Sequence, residues 1–210
     1  MTNKKQPLTA IYYMIFASLL IAGTTIISKM LGTDKLGPSL NPVQISNSRF
    51  FFAFILIFFF FMNTKSKIYK PNYKIHISRS FCGWLGITIL FGASSIIPVS
   101  DATALIFINP IFTMLLAIPF LGEKIKAFKW LAAIVTFAGA IILIRPENNL
   151  FQIKLINIIL ILGALALGLE SILIKILTQK EKPSQILLVN NGIGLIISSF
   201  PIFFIWITPN

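Results

Sequence analysis

Leu155-Ile156-Asn157-Ile158-Ile159-Leu160-Ile161-Leu162-Gly163-Ala164-Leu165-Ala166-Leu167-Gly168-Leu169-Glu170-Ser171-Ile172-Leu173 carries one ionisable side chain in nineteen residues. As a helix it rises about 28 Å at roughly 1.5 Å per residue, close to the ~30 Å hydrocarbon thickness of a bilayer. The stretch therefore reads as a membrane crossing. Working outward, the same criterion marks further crossings at about Leu8 to Ile27, Val43 to Met62, Phe81 to Ile97, Ala102 to Leu121, Phe128 to Ile144 and Ile186 to Ile207. The expected fold is all-α: a polytopic helix bundle of about seven transmembrane helices.

The intervening segments carry turn and breaker residues, among them Gly37-Pro38, Asn41-Pro42, Asn63 to Asn72, Pro98, Gly122, Pro146 to Asn149 and Pro183-Ser184. Most are too short to fold separately, which leaves one membrane domain. Composition agrees: 56% of residues are hydrophobic and 11% charged, against about 25% charged in soluble domains, and the mean hydropathy is +0.87. Runs such as Phe58-Phe59-Phe60-Phe61 would aggregate in water but pack readily against lipid.

A net charge of +12 raises the question of phosphate binding. The cations fall in short gaps between apolar stretches, with no basic stripe interleaved with aromatics, so no nucleic-acid partner is expected. That pattern sets membrane orientation instead, because cytoplasmic loops retain Lys and Arg. Thirteen cations fall on one side: Lys4 and Lys5; Lys65, Lys67, Lys70, Lys74 and Arg79; Lys124, Lys126 and Lys129; Lys175, Lys180 and Lys182. Five fall on the other: Lys29, Lys35, Arg49, Arg145 and Lys154. The expected location is a bacterial inner membrane, multi-pass, with a cytoplasmic N-terminus and a periplasmic C-terminus. The first apolar run imitates a secretory signal, but its length and the lack of a small-x-small cleavage site make it an uncleaved span. A lone cysteine, Cys82, excludes an intrachain disulfide and a Cys-based zinc site.

Phe16 to Lys29 aligns with Leu162 to Lys175 at a constant offset of 146 residues, and Asn190-Asn191 falls close to the counterpart of Asn47. With five spans between equivalent points, the second copy enters the membrane from the opposite face, the arrangement of inverted repeats in many secondary transporters.

Four pieces in order, Arg79-Ser80-Phe81-Cys82-Gly83-Trp84-Leu85-Gly86, Asp101 to Thr113, Phe120 to Lys124 and Phe137 to Pro146, resemble the EamA family of the drug/metabolite transporter superfamily. The resemblance implies ten spans in two inverted five-span repeats and passage of small organic solutes through a central cavity. On that pattern residues 1–146 are a complete first repeat and residues 147–210 two helices of a second, as in a truncated or split member. A homodimer or a separate second-repeat polypeptide would then complete the bundle. Among the members it resembles are amino-acid exporters and S-adenosylmethionine uptake carriers, the latter being the style of short bacterial relative this chain is most like. The alternative is a non-transporting membrane scaffold or a remnant of such a permease.

Polar groups at membrane depth mark the candidate site, since hydrocarbon penalises them unless they face protein or water. Glu170, about 22 Å into the layer by helical rise, is suited to a cationic group of a substrate or to a proton, unless Lys175 neutralises it. Gln44, Ser46, Asn47, Ser48 and Arg49 make the start of the second span polar, and pairing with Asp101 is the structural reading for Arg49. Asn109 precedes Pro110 in mid-span, where proline removes a backbone hydrogen bond. Trp84 could line the path or simply pack. The substrate-binding candidates are therefore Glu170, Asn109, Trp84, Asn47 and Arg49. His76, amid basic loop residues, is expected to be solvated. No GxSxG, Walker loop, HExxH or paired carboxylates occurs, so no enzyme activity, cofactor or metal is expected, and any driving force would be a gradient or exchange. The implied partners are the lipid bilayer and a small-molecule substrate.

Overall fold

Asn41 opens the second helix: its side chain accepts the Val43 N–H at 3.0 Å, and Pro42 takes the first helical position, where no amide hydrogen is needed. Proline serves α8 in the same way at Pro183. The computed structural model describes residues 6–34, 37–64, 70–144 and 155–206. They form α1 Gln6–Leu31, α2 Pro42–Asn63, α3 Tyr73–Ile96, α4 Val99–Ile106, α5 Asn109–Leu121, α6 Ala127–Ile144, α7 Leu155–Thr178 and α8 Pro183–Ile205. Six helical stretches among the described residues are long and apolar enough to cross a membrane, with α4 and α5 counted together, and α6 adds a shorter apolar helix. The polytopic helical bundle expected from the sequence is the fold. Lys4, Lys5, Lys35, Lys65, Lys67, Arg145, Lys154, Ile207 and the turn Pro146 to Asn149 lie outside the described residues.

The fourth span differs from expectation. The sequence places Asn109-Pro110 in mid-span with one backbone hydrogen bond lost, but the helix breaks outright: Phe107 and Ile108 form a turn, and Asn109 and Pro110 start a new helix. Proline is compatible with that position because the first turn of a helix leaves its amides unbonded. At its far end α5 stops at Gly122, whose φ of 64° lies in the left-handed region. The Glu123 N–H reaches the Ala117 carbonyl at 3.3 Å and the Gly122 N–H reaches that of Ile118 at 3.0 Å. This paired closure satisfies carbonyls that the helix end would leave open.

α7 is the hub, packing most extensively on α3 and also on α5; α2 packs chiefly on α8. Small residues permit the α3–α7 crossing. A Cβ at Gly86 would sit 2.5 Å from Leu167 Cγ and 3.0 Å from the Gly163 carbonyl oxygen, and one at Gly163 would meet Ile89 at 3.0 Å. Around it Leu90, Ala93, Ala102, Ile106, Leu160 and Ala164 make the buried core. Dispersion and close packing hold helices together where no water-driven force acts between them. α1 contributes little to that core, and most of its apolar side chains are exposed.

Two sets of contacts identify the ends of the bundle. Asn72 meets Glu181 and Lys175 meets Glu123 at one end, whereas Gly32, Asn41, Ile96 and Ile156 border a recess of about 520 Å³ at the other.

Alanine at Gly86 should therefore lower thermal stability in detergent by about 1–3 kcal/mol through overpacking. Alanine at Gly23, where a Cβ meets open space, should leave it unchanged or slightly raised. Equal midpoints for the two variants would show that the α3–α7 crossing is looser than described.

Candidate functional site

Glu170 faces α3 across the α7 crossing. Its carboxylate fills the space that a side chain at Gly83 would occupy, with Cδ 2.8 Å from where a Cβ would stand. One turn away on the same face of α3, Arg79 approaches Glu170 Oε1 through Nη2 at 3.7 Å; the side chains are 6% and 19% exposed respectively. Arg79 also donates to the Ile186 carbonyl of α8 at 3.4 Å, while its Nε is buried without a hydrogen-bond partner among the described residues. The expected alternative partner of Glu170, Lys175, is engaged elsewhere: it bonds Glu123 just past the end of α5, with Lys129 3.8 Å from the same carboxylate. The Lys175 hydrogen bond holds the Glu123 carboxyl below its ordinary range, though an exposed pair of this kind is screened by salt.

Arg49 completes the cluster from α2. It does not pair with Asp101, which accepts instead from the hydroxyl of its neighbour Ser100 at 3.0 Å. Arg49 interacts electrostatically with Glu170, lies over the buried Phe50 ring at 5.1 Å from its centroid and remains exposed. The sequence places Asp101 and Arg49 on the same side of the membrane, which is why the two were expected to pair. α2 packs chiefly on α8, whereas α4 packs chiefly on α6 and α7.

Helical register puts these groups at one depth. The Thr88 hydroxyl donates to Ser46 at 3.0 Å, joining α3 and α2 at a common level. Arg49 then lies about 4.5 Å and Trp84 about 6 Å further along, the level of Gly83 and hence of Glu170. Ser80, Trp84 and Thr88 recur every fourth residue on one face of α3. Ser80 donates to Asn190 of α8 at 3.0 Å and Thr88 bonds α2, so Trp84 lies over the α2–α8 seam. Its indole Nε1 is buried and has no acceptor among the described residues.

The five sequence candidates divide accordingly. Glu170 and Arg49 interact electrostatically, and Trp84 shares their depth by helical register. Asn47 does not join them: its amide donates to Ser198 and Ser199 of α8 at 2.9 and 3.0 Å, clamping α2 to α8. Asn109 lies against another face of α7. Its carbonyl is 3.3 Å from where a Cβ at Gly168 would stand, about 200° around the helix from Glu170, and accepts the Thr113 hydroxyl. Arg79 was missed as a site residue because its neighbours Lys70, Lys74 and His76 made it look like part of a basic loop. The available signal was its spacing to Gly83, four residues on.

The expectation of a solvated His76 is also corrected. α3 starts eight residues earlier than the apolar run, and His76 is 0% exposed with Nε2 2.9 Å from Glu181 Oε2. Glu181 additionally accepts the Asn72 N–H at 3.1 Å and the Gln185 amide at 2.8 Å. This ties the start of α3 to the α7–α8 connection. Burial pushes the Glu181 carboxyl up, but the His76 bond, the Asn72 N–H, the His76 charge and Gln185 together hold it below the ordinary range.

A family model described as the EamA-like transporter family matches residues 8–145. The S-adenosylmethionine uptake transporter of Rickettsia felis is 27% identical over 207 residues, 98% of this chain and 68% of the relative. That of Rickettsia bellii is 29% identical over 185 residues, 88% and 61% of the two chains. The riboflavin transporter of Rhizobium johnstonii is 26% identical over 175 residues, 83% and 56%. No solved structure matches.

Because the folded carboxyl of Glu181 lies below its unfolded value, its stabilisation is complete above about pH 4.3 and disappears as pH falls through the folded value. The stability difference between the protein and Glu181→Gln should thus shrink on acidification below about pH 4.3. A difference that stays constant through that range would remove Glu181 as an ionic tie.

Proposed function

This chain belongs to the EamA-like transporter family, and we propose that it is a secondary permease for a small metabolite of the S-adenosylmethionine or amino-acid type. The observation that carries the reading is the cluster of Glu170, Arg79 and Arg49 at membrane depth between α7, α3 and α2. Ionisable groups in a bilayer interior are costly, and each is a candidate for a solute or proton path. The names of the Rickettsia and Rhizobium relatives support small-metabolite transport. Among the two cargoes they name, riboflavin is uncharged and gives the cluster no counterpart, which favours the S-adenosylmethionine type.

In this reading residues 1–146 act as one repeat and residues 147–210 as part of a second, inverted one. Access alternates between them around the midplane. The packing of α2 on α8, which the 146-residue offset makes approximate equivalents, supports it. The end carrying Glu181 and the Glu123–Lys175 pair is taken as cytoplasmic, because Lys70, Lys74, Lys124, Lys126, Lys129, Lys180 and Lys182 belong to the same end. That end is tied by ionic contacts, whereas the recess lies at the opposite one, so the conformation corresponds to a path closed towards the cytoplasm.

Labelled S-adenosylmethionine uptake into proteoliposomes tests the proposal. Uptake above empty liposomes is expected, falling about tenfold or more in Glu170→Gln, equivalent to ~1.4 kcal/mol or more. Wild-type protein that reconstitutes folded yet moves no solute refutes the permease reading, and unchanged flux in the variant removes Glu170 from it.

A further inference from the structure

The cluster contains two guanidinium groups and one carboxylate, and its members are unequally engaged. Arg79 is committed: it is buried, faces Glu170 at 3.7 Å and donates to the Ile186 carbonyl. Arg49 has no carboxylate within 4 Å among the described residues and remains exposed over the Phe50 ring. Glu170 accepts no hydrogen bond among the described residues, and part of its side chain is open. A carboxylate offers about four acceptor positions, so its single long contact with Arg79 leaves most of that capacity unused.

These three states specify a ligand by elimination. The excess positive charge in a low-dielectric interior calls for an anionic group, and Arg49 is the cation free to receive it, with a planar fork suited to a carboxylate. The open acceptors of Glu170 call for a cationic donor, and an ammonium supplies three hydrogens. Both groups must be small and adjacent, because Arg49 and Glu170 stand at one depth by helical register and interact electrostatically across α3, on which both of their helices pack. A buried donor without an acceptor among the described residues, Trp84 Nε1, lies at that depth too.

We propose that Arg49 and Glu170 together dock an α-amino-acid head group, carboxylate on Arg49 and ammonium on Glu170, with Arg79 positioning the Glu170 carboxylate. This rests on the permease reading and deepens it: the specificity resides in the zwitterionic head, so free amino acids sharing it are ligands, whereas a neutral flavin is not. Arg79 touches no substrate. Its role is to aim the Glu170 carboxylate when the site is empty.

Ligand-induced thermal stabilisation of the purified protein separates the possibilities. The probes are S-adenosylmethionine, decarboxylated S-adenosylmethionine, L-methionine, methionine methyl ester, N-acetylmethionine and riboflavin. Stabilisation is expected from the two intact zwitterions, with apparent affinity weakened about tenfold or more by blocking or removing either head-group charge. Arg49→Gln should abolish the distinction between methionine and its methyl ester, and Glu170→Gln that between methionine and N-acetylmethionine. If either variant fails to fold, the wild-type series still decides. Equal binding of acid and ester, or of amine and amide, overturns the head-group assignment, as does stabilisation by none of the probes. Liposome uptake distinguishes this from the parent proposal: S-adenosylmethionine transport inhibited equally by the decarboxylated form sinks the head-group inference alone. Zwitterion-selective binding without transport sinks the permease reading and leaves the inference standing.

Discussion

A carboxylate held within hydrocarbon must have a cation nearby, and the arrangement of this bundle follows from meeting that condition for Glu170. An unpaired charge there costs several kcal/mol or more, so Arg79 has to approach it, and α3 has to run beside α7. The approach requires Gly83, because any side chain at that position would occupy the space of the carboxylate. Gly86 and Gly163 then bring the two helices together one to two turns further on. Once α3 and α7 are locked, α8 joins through the Ile186 carbonyl and Asn190, and α2 follows through Asn47 and Thr88. An electrostatic need at one residue thus propagates through close packing to four helices.

The hydrophobic pattern made the helices legible because bilayer thickness sets their length. It located α2, α7 and α8 to within a few residues and identified Glu170 from its isolation in an apolar run. It failed where a helix continues past its apolar stretch. α3 begins at Tyr73, so Lys74, His76 and Arg79 are helical residues, although in sequence they look like a basic loop. Pairings were harder still. Glu170 with Lys175 and Arg49 with Asp101 were chosen for proximity in sequence or for sharing a side, whereas the partners came from other helices. Nothing in a linear pattern announces which two helices cross.

Polar residues of similar appearance also serve different purposes. Asn47 and Arg49 are two positions apart on α2 and so face different directions, one bonding the serines of α8 and the other turned towards Glu170. Asn109 drew attention through the adjacent proline, yet it opens a helix on the far side of α7. His76 and Glu181 form a second buried polar contact at one end of the bundle, distinct in place and partners from the Glu170 cluster. Depth, helix face and register separate these roles; residue type alone does not.

The glycine crossing of α3 and α7 has a mechanical consequence. Gly163 is fifteen residues from the end of α7 at Thr178, an arm of about 22 Å. The backbones come nearest where the Gly163 carbonyl meets Gly86, so a change in the mutual angle of the two helices would turn about that level. Tilting that arm by about 10° displaces its tip by about 4 Å, enough to separate Lys175 from Glu123. At Glu170, only seven residues from that level, the same tilt moves the backbone by about 2 Å. A lever of this shape opens its far end while leaving the charged centre nearly in place.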